Sequence, residues 1–345
     1  MKGCQILISQ INGRMAAARI VDGQLDDLLI DTPDHIPRPG AIYRGTVGRP
    51  MKGQGGRIIT LTDGTNGFLR QGHGLSEGQA VLIQVSGFAE GGKAVPVTPR
   101  LLFKSRYAII TPDAPGLNIS RAIKDEEARV RLKEIAHAAE LPDHLGLILR
   151  SAAEMGDDDA VADDIAEMAG LAAAILAEDK GAPELLLDGP TPDLLAWREW
   201  VDVADHNVLQ GDQAFDHGGA AERLETLSDP REPLPEGGCF YVEPTRALVA
   251  IDVNTGPDTS PAAGLKANIA TARALPRALR LRGLGGQIVL DLAPMPKKER
   301  RTFEQVLRAA CRACPVETTP VGWTPMGHFE LQRKRERLPL NEALS

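Results

Sequence analysis

The sequence predicts an α/β protein built from several domains. Three observations carry that expectation. The stretches Arg246 to Gly256 and Gly285 to Asp291 each hold a short β-branched and aliphatic run leading to a carboxylate, with helical periodicity between them. Short strands broken by glycines fill residues 41 to 102. Residues 103 to 188 alternate helix, strand and helix.

The chain of 345 residues is long enough for two or three domains, and its 43% hydrophobic content is ordinary for a globular core. No run has the apolar length of a membrane span. The opening Met1 to Ser9 is too short and too quickly polar for a signal peptide, so a cytoplasmic protein without membrane contact is expected. The cysteines Cys4, Cys239, Cys311 and Cys314 are scattered and are expected to stay reduced. Cys311 and Cys314 have metal-ligand spacing, but with Phe303, Val306, Leu307 and Ala310 they follow one helical face, which points both into a core. The net charge of -8 argues against a surface that grips nucleic acid everywhere. Its distribution is bipolar. Residues 154 to 190 are acidic, whereas Lys266, Arg273, Arg277, Arg280, Arg282, Lys297, Lys298, Arg300 and Arg301 crowd the carboxylate-bearing region, followed by Arg333, Lys334, Arg335 and Arg337.

In chain order, Gln5 to Ser9, Arg14 to Val21 and Gln24 to Ile30 read as a meander turned at Asn12-Gly13 and Asp22-Gly23. The proline-rich stretch from Asp31 to Gly40 marks a boundary. Ile42 to Val47, Arg57 to Leu61, Gly67 to Leu69, Ala80 to Val85 and Ala94 to Thr98 then have the spacing of a small closed barrel of the OB type. Such barrels bind single-stranded nucleic acid through an aromatic platform and a basic surface; Phe68 is the stacking candidate, with Arg44, Lys52 and Lys93 as phosphate contacts. Phe68 plugging the barrel is the equally simple alternative.

A helix follows at Asp125 to Ala139, a strand at Leu145 to Arg150 and an alanine-rich helix at Asp159 to Ala177. Arg150-Ser151 sets a planar guanidinium beside a hydroxyl, which suits a terminal phosphate; a lone arginine at a strand end more commonly makes an ion pair. Thr191-Pro192 opens a helix through Trp197, Trp200 and Val201. Beyond a loop-rich stretch, Cys239 to Val242 and Ala247 to Val253 form a hairpin. The crossover helix that follows contains Pro276, where a kink or restart is expected, with Arg277, Arg280 and Arg282 on its last turns.

A strand, helix, strand unit is a right-handed crossover between parallel strands. Asp252 and Asp291 then emerge at one carboxyl edge, where open sheets bind ligands. Two carboxylates there make the hard oxygen site that Mg²⁺ accepts while keeping several waters. Asn254, two residues past Asp252, points to the same face and can orient a substrate or a water. A strand-terminal aspartate also commonly caps the next turn, so the pair counts for more than either residue alone.

At Arg246 to Gly256, at Leu279 to Asp291 and at Gly327-His-Phe-Glu-Leu-Gln-Arg-Lys-Arg335, the sequence resembles the ribonuclease E/G family of bacterial endoribonucleases. The resemblance runs through the rest of the chain in order. It implies an RNase H-like subdomain split between residues 1–38 and 189–222, an S1-type barrel at 39–102, a 5′-sensor-like subdomain at 103–188 and a DNase I-like catalytic subdomain at 223–345. It further implies Mg²⁺ on Asp252 and Asp291, Asn254 near the scissile phosphate, and RNA contacts at Phe68, Lys93, Arg280, Arg282, Arg333 and Arg335. Arg150 and Ser151 fall where the family binds a 5′-monophosphate.

The implied activity is Mg²⁺-dependent cleavage of single-stranded RNA that leaves 5′-phosphate and 3′-hydroxyl ends. The alternative is an RNA-binding factor of the same fold with weakened catalysis; Pro294, where the family usually has another acid, speaks for it. Family members continue into a Cys-x-x-Cys zinc link, whereas this sequence ends at Ser345. No structural zinc, and no oligomer through such a link, is therefore expected.

Overall fold

The computed structural model describes residues 3–51, 53, 55–62, 64–70, 72, 74–112, 114–201 and 207–345. The chain forms two compact units. One joins Met1–Pro33 to Val203–Ser345, and the other is Asp34–Asp202.

The first unit opens with the expected meander, β1 (Cys4–Ile11), β2 (Arg14–Val21) and β3 (Gln24–Ile30). Its two turns place Asn12 at φ 51° and Gly13 at 78°, then Asp22 at 49° and Gly23 at 77°. Positive φ at both central positions gives the turn whose twist matches paired strands, and Asn, Asp and Gly tolerate it best.

The second unit begins with β4 (Ile42–Pro50), β5 (Arg57–Thr60), β6 (Asn66–Leu69), β7 (Ala80–Val85) and β8 (Val95–Thr98). They pair in the order β4, β5, β6, β8, β7, and β7 pairs back onto β4, so the barrel closes. Alternate residues such as Tyr43, Val47, Ile59, Leu69, Ile83 and Val97 fill its interior. A four-stranded sheet follows, from β9 (Phe103–Lys104), β10 (Ala108–Pro112), β11 (Gly116–Ile119) and, after α1 (Glu126–Ala138), β12 (Leu145–Leu149). Asp125 caps α1 by accepting from the Glu127 amide at 2.8 Å. The long helix α2 (Asp158–Leu176) is capped by Asp157 and buries Val161, Ile165, Ala172 and Ile175 in the core of this sheet. β13 (Glu184–Leu187) adds to β4 of the barrel, and α3 (Pro192–Glu199) follows it.

Back in the first unit, β14 (Val208–Gln210) runs parallel to β1, and the short helices α4 (Ala214–His217) and α5 (Ala220–Thr226) cover the meander. The remainder is a six-stranded sheet with helices on one face. Its strands are β15 (Arg231–Pro233), β16 (Cys239–Pro244), β17 (Val249–Asn254), then after α6 (Ala263–Leu281) β18 (Gly286–Asp291), and after α7 (Arg300–Ala313) β19 (Thr318–Trp323) and β20 (Phe329–Arg333); α8 (Leu340–Leu344) closes the chain. Spatial order is β15, β16, β17, β18, β20, β19. The kink or restart expected at Pro276 is corrected: α6 runs uninterrupted through it. Thr271, Ala272, Leu275, Ala278 and Leu279 around it are buried, and that packing outweighs the missing backbone bond.

Candidate active site

Alternation along β17 and β18 decides where the acids point. Val249, Ile251 and Val253 of β17 and Ile288 and Leu290 of β18 are buried with residues of α6 and α7. Each such side chain is worth about 1.5–3 kcal/mol of burial, so a slip by one residue, which would turn them to water, is strongly disfavoured. Asp252, Asn254 and Asp291 are consequently exposed on the open face.

β17 and β18 are parallel neighbours, and Asp252 is the register partner of Asp291. Their backbones thus lie one strand spacing apart, about 4.8 Å. The Asn254 amide donates to Asp252 Oδ2 at 2.9 Å. On the other side, His328 Nδ1 stands 3.3 Å from Asp291 Oδ1. Phe329 pairs with Leu290, so the residue before it falls opposite Asp291. A tight turn delivers it: Thr324 accepts from the Gly327 amide at 3.0 Å and its hydroxyl from the His328 amide at 3.1 Å. Phe303, Trp323 and Phe329 pack edge to face below that turn.

Asp252 Oδ1 and Asp291 Oδ2 have no protein partner among the described residues. Two open carboxylate oxygens on adjacent strands fit Mg²⁺, which takes one or two carboxylates and keeps water for the rest of its shell. Among the described residues, no group of three or more His, Cys, Asp or Glu is placed to hold a metal by itself. The loop after Asp291 is fixed from α6. Buried Asn268 donates to the Ala293 carbonyl at 2.8 Å and accepts from its amide at 3.0 Å. Gly264 permits this approach, because a side chain there would collide with the Pro294 carbonyl. Neither Asn268 nor His328 carries a role in the sequence reading; only the His328 position in a strand opposite Asp291 could have marked it.

Several expected phosphate contacts are corrected. Arg280, Arg282 and Arg333 are buried. Arg280 binds the Asp26 carboxylate at 3.0 Å and lies 3.3 Å from Asp27, and these acids raise its pKa against the lowering effect of burial. Arg282 donates to Glu232 at 2.6 Å and to the Asp229 carbonyl at 2.8 Å. Arg333, 1% exposed, donates to Thr318 Oγ1 at 2.7 Å and touches Cys314 Sγ; burial lowers its pKa, which Cys314 offsets only in part. Guanidiniums committed in this way hold α6, β15 and β20 in place. Arg335 is half-buried with its guanidinium over Gly286.

In the second unit, Arg44 is also buried, bound to Glu178, Glu184 and the Ala182 carbonyl. Lys93 is exposed and paired with Glu90, and Lys52 lies outside the described residues. Phe68 is half-buried, lies outside the buried cluster of the barrel and sets its ring over Gly56, where a side chain would collide with it. Arg150 donates to the Ser105 carbonyl at 2.5 Å and pairs with Glu199, whose other oxygen accepts from Arg198 at 2.7 Å. Burial alone would raise the Glu199 pKa, but Arg150 and Arg198 outweigh it and hold the carboxyl below its ordinary value. Ser151 beside it is exposed. Cys311 is buried, which pushes its thiol up to about 11, whereas Cys314 has left α7 and lies half-buried.

Comparison with known proteins places the chain in a family. The Ribonuclease E/G family profile matches residues 103–209 and 198–336. Ribonuclease E of Escherichia coli is 27% identical over 98% of this chain and 37% of its own length. Ribonuclease E of a Nostoc species is 29% identical over 96% of the chain and 56% of its own length. Ribonuclease G of Haemophilus influenzae is 25% identical over the full chain and 82% of its own length. The chain therefore spans between about a third and somewhat over half of these two ribonucleases E. Matched over more than half its length, the chain belongs to the ribonuclease E/G family.

Proposed function

We propose that the protein is an endoribonuclease that cleaves single-stranded RNA with Mg²⁺ and leaves 5′-phosphate and 3′-hydroxyl ends. The register partnership of Asp252 and Asp291 carries this reading. Asp252 and Asp291 would hold the ion, which when bound supplies positive charge against a phosphate and acidity toward water. Asn254 keeps Asp252 oriented through its amide and faces the same open side, where it can reach the phosphate to be cut. On the other side, His328 Nδ1 lies 3.3 Å from Asp291 Oδ1 and can hold that carboxylate in place.

The subdomain reading gives the meander and its parallel fourth strand an RNase H-like role, the six-stranded sheet a DNase I-like one and the closed barrel an S1-type one. In the barrel, the outward ring of Phe68 stacks a base and Lys93 meets a phosphate. Arg335 completes the RNA contacts kept from the sequence. Unpaired RNA is the substrate because an A-form duplex hides its base edges in a groove that side chains cannot read. Among the described residues no helix is long and apolar enough to cross a membrane, in keeping with a cytoplasmic site of action.

A second reading, RNA binding with weakened turnover, draws on Pro294 beside the acids and on the Asp291 oxygen already engaged by His328. Incubation with a short unstructured RNA in Mg²⁺ or in chelator separates the two. Metal-dependent fragments bearing 5′-phosphate are expected, lost in Asp252→Asn while RNA binding persists. Binding without cuts would favour the second reading, and full activity in Asp252→Asn would remove that residue from the site.

A further inference from the structure

The sheet that carries the acids aligns further side chains with them. The registers of β15 through β18 set Arg231 opposite Tyr241, Tyr241 opposite Asp252 and Asp252 opposite Asp291. His328 closes the line beyond Asp291. The residues flanking these in sequence, Glu232, Phe240, Val242, Ile251, Leu290 and Phe329, are buried on the helix side, so the line lies on the open face. At about 4.8 Å per strand it extends roughly 19 Å across the sheet, with the acids near its middle.

The two members on the Asp252 side of the acids have the chemistry of a nucleotide subsite. Arg231 is exposed, and among the described residues its side chain makes no hydrogen bond or ion pair; only its backbone amide is used, donating to Asp229 at 2.9 Å. That separates it from Arg223, Arg280, Arg282 and Arg333, which are committed within the same unit. Tyr241 is half-buried beside Asp252, and its hydroxyl has no partner among the described residues. A planar guanidinium suits a phosphate, and an aromatic face suits a base of any sequence.

We propose that Arg231 and Tyr241 form the RNA subsite adjoining the acids, Tyr241 stacking a base and Arg231 holding a phosphate of the strand that crosses the sheet along this line. The inference rests on the nuclease reading and adds to it the path of the substrate. RNA laid at right angles to the β-strands passes from Arg231 over Tyr241 to the acids and on toward His328. A solvated arginine and a space-filling tyrosine would instead leave RNA affinity untouched.

Fluorescence anisotropy of the full chain with a labelled, unstructured 5′-hydroxyl decaribonucleotide in chelator, over a salt series, tests this without cleavage. Tyr241→Ala should weaken binding by about 5- to 150-fold, the range of one stacked base, while Tyr241→Phe keeps it. Arg231→Ala should flatten the slope of log affinity against log salt by about 0.7, one phosphate contact on a single strand. Arg312→Ala, an exposed arginine of α7 off the line, should leave the slope unchanged. In Mg²⁺ both row variants should raise KM with kcat nearly unchanged. Wild-type affinity and slope in Tyr241→Ala and Arg231→Ala, at unchanged thermal midpoints, overturn the subsite while leaving the nuclease reading in place. A wild-type chain that binds no RNA sinks the nuclease reading, and the subsite with it.

Discussion

Asn268 holds both polar groups of one residue, Ala293, donating to its carbonyl and accepting from its amide. Ala293 follows Asp291 by two positions and is itself buried, so helix α6 pins the chain where it leaves the acid. Asn268→Leu fills the space but leaves that amide and carbonyl buried without partners, at about 1–3 kcal/mol each. A loss of roughly 2–6 kcal/mol in urea unfolding is expected. An unchanged midpoint would show that the loop finds other partners and is not held by Asn268.

With Asp291 holding the ion as proposed, its contact with His328 predicts an effect on metal affinity. Partners that orient a ligating carboxylate are typically worth about 10- to 100-fold in metal affinity. His328→Ala should weaken Mn²⁺ binding, read by electron paramagnetic resonance of the free ion, within that range, and His328→Gln, which restores a donor, should recover part of it. Equal affinity in wild type and His328→Ala would reduce the contact to packing.

Glu199 sits between Arg150 and Arg198, where an anionic group of a ligand would have to sit to use them. An RNA 5′-phosphate must therefore displace a carboxylate to reach Arg150. Little preference for 5′-phosphorylated over 5′-hydroxyl RNA is expected in the wild type. In Glu199→Gln the preference should rise about tenfold, the equivalent of one charge-assisted bond made available. A strong preference in the wild type would count against this. Because the folded pKa of Glu199 is depressed, whatever stability the cluster contributes is present above the ordinary carboxylate range and is lost as pH falls through the folded value.

Glu232 and Arg282 are both buried, and Arg223 donates to the same carboxylate at 2.8 and 2.9 Å. Removing one charge strands the other in a dry site. Glu232→Gln should cost about 3–5 kcal/mol in thermal unfolding, whereas replacing Glu232 and Arg282 together by apolar residues should cost much less. Equal losses in the two cases would contradict that account.

What the sequence made legible were features fixed by local rules. Asn12-Gly13 and Asp22-Gly23 dictate positive φ, so the meander falls within two residues of its expected bounds. The aliphatic runs before Asp252 and Asp291 dictate parallel strands, and that much of the site follows from the crossover. Burial of charge is a tertiary property and escaped this reasoning. Arg280 and Arg282 look like solvated residues of a last helical turn until Asp27 of β3 and Glu232 of β15 fold against them. Pro276 breaks helices in isolation, yet here the packing around it decides. β9, with two residues, is too short for its periodicity to show.

Parallel strands cannot be joined by a hairpin, so the pairing of β17 with β18 depends on the crossover that α6 supplies. Without that pairing, Asp252 and Asp291 are no longer register partners. Both acids therefore share one sheet edge only in a chain that extends through residue 291 and has paired β18 with β17.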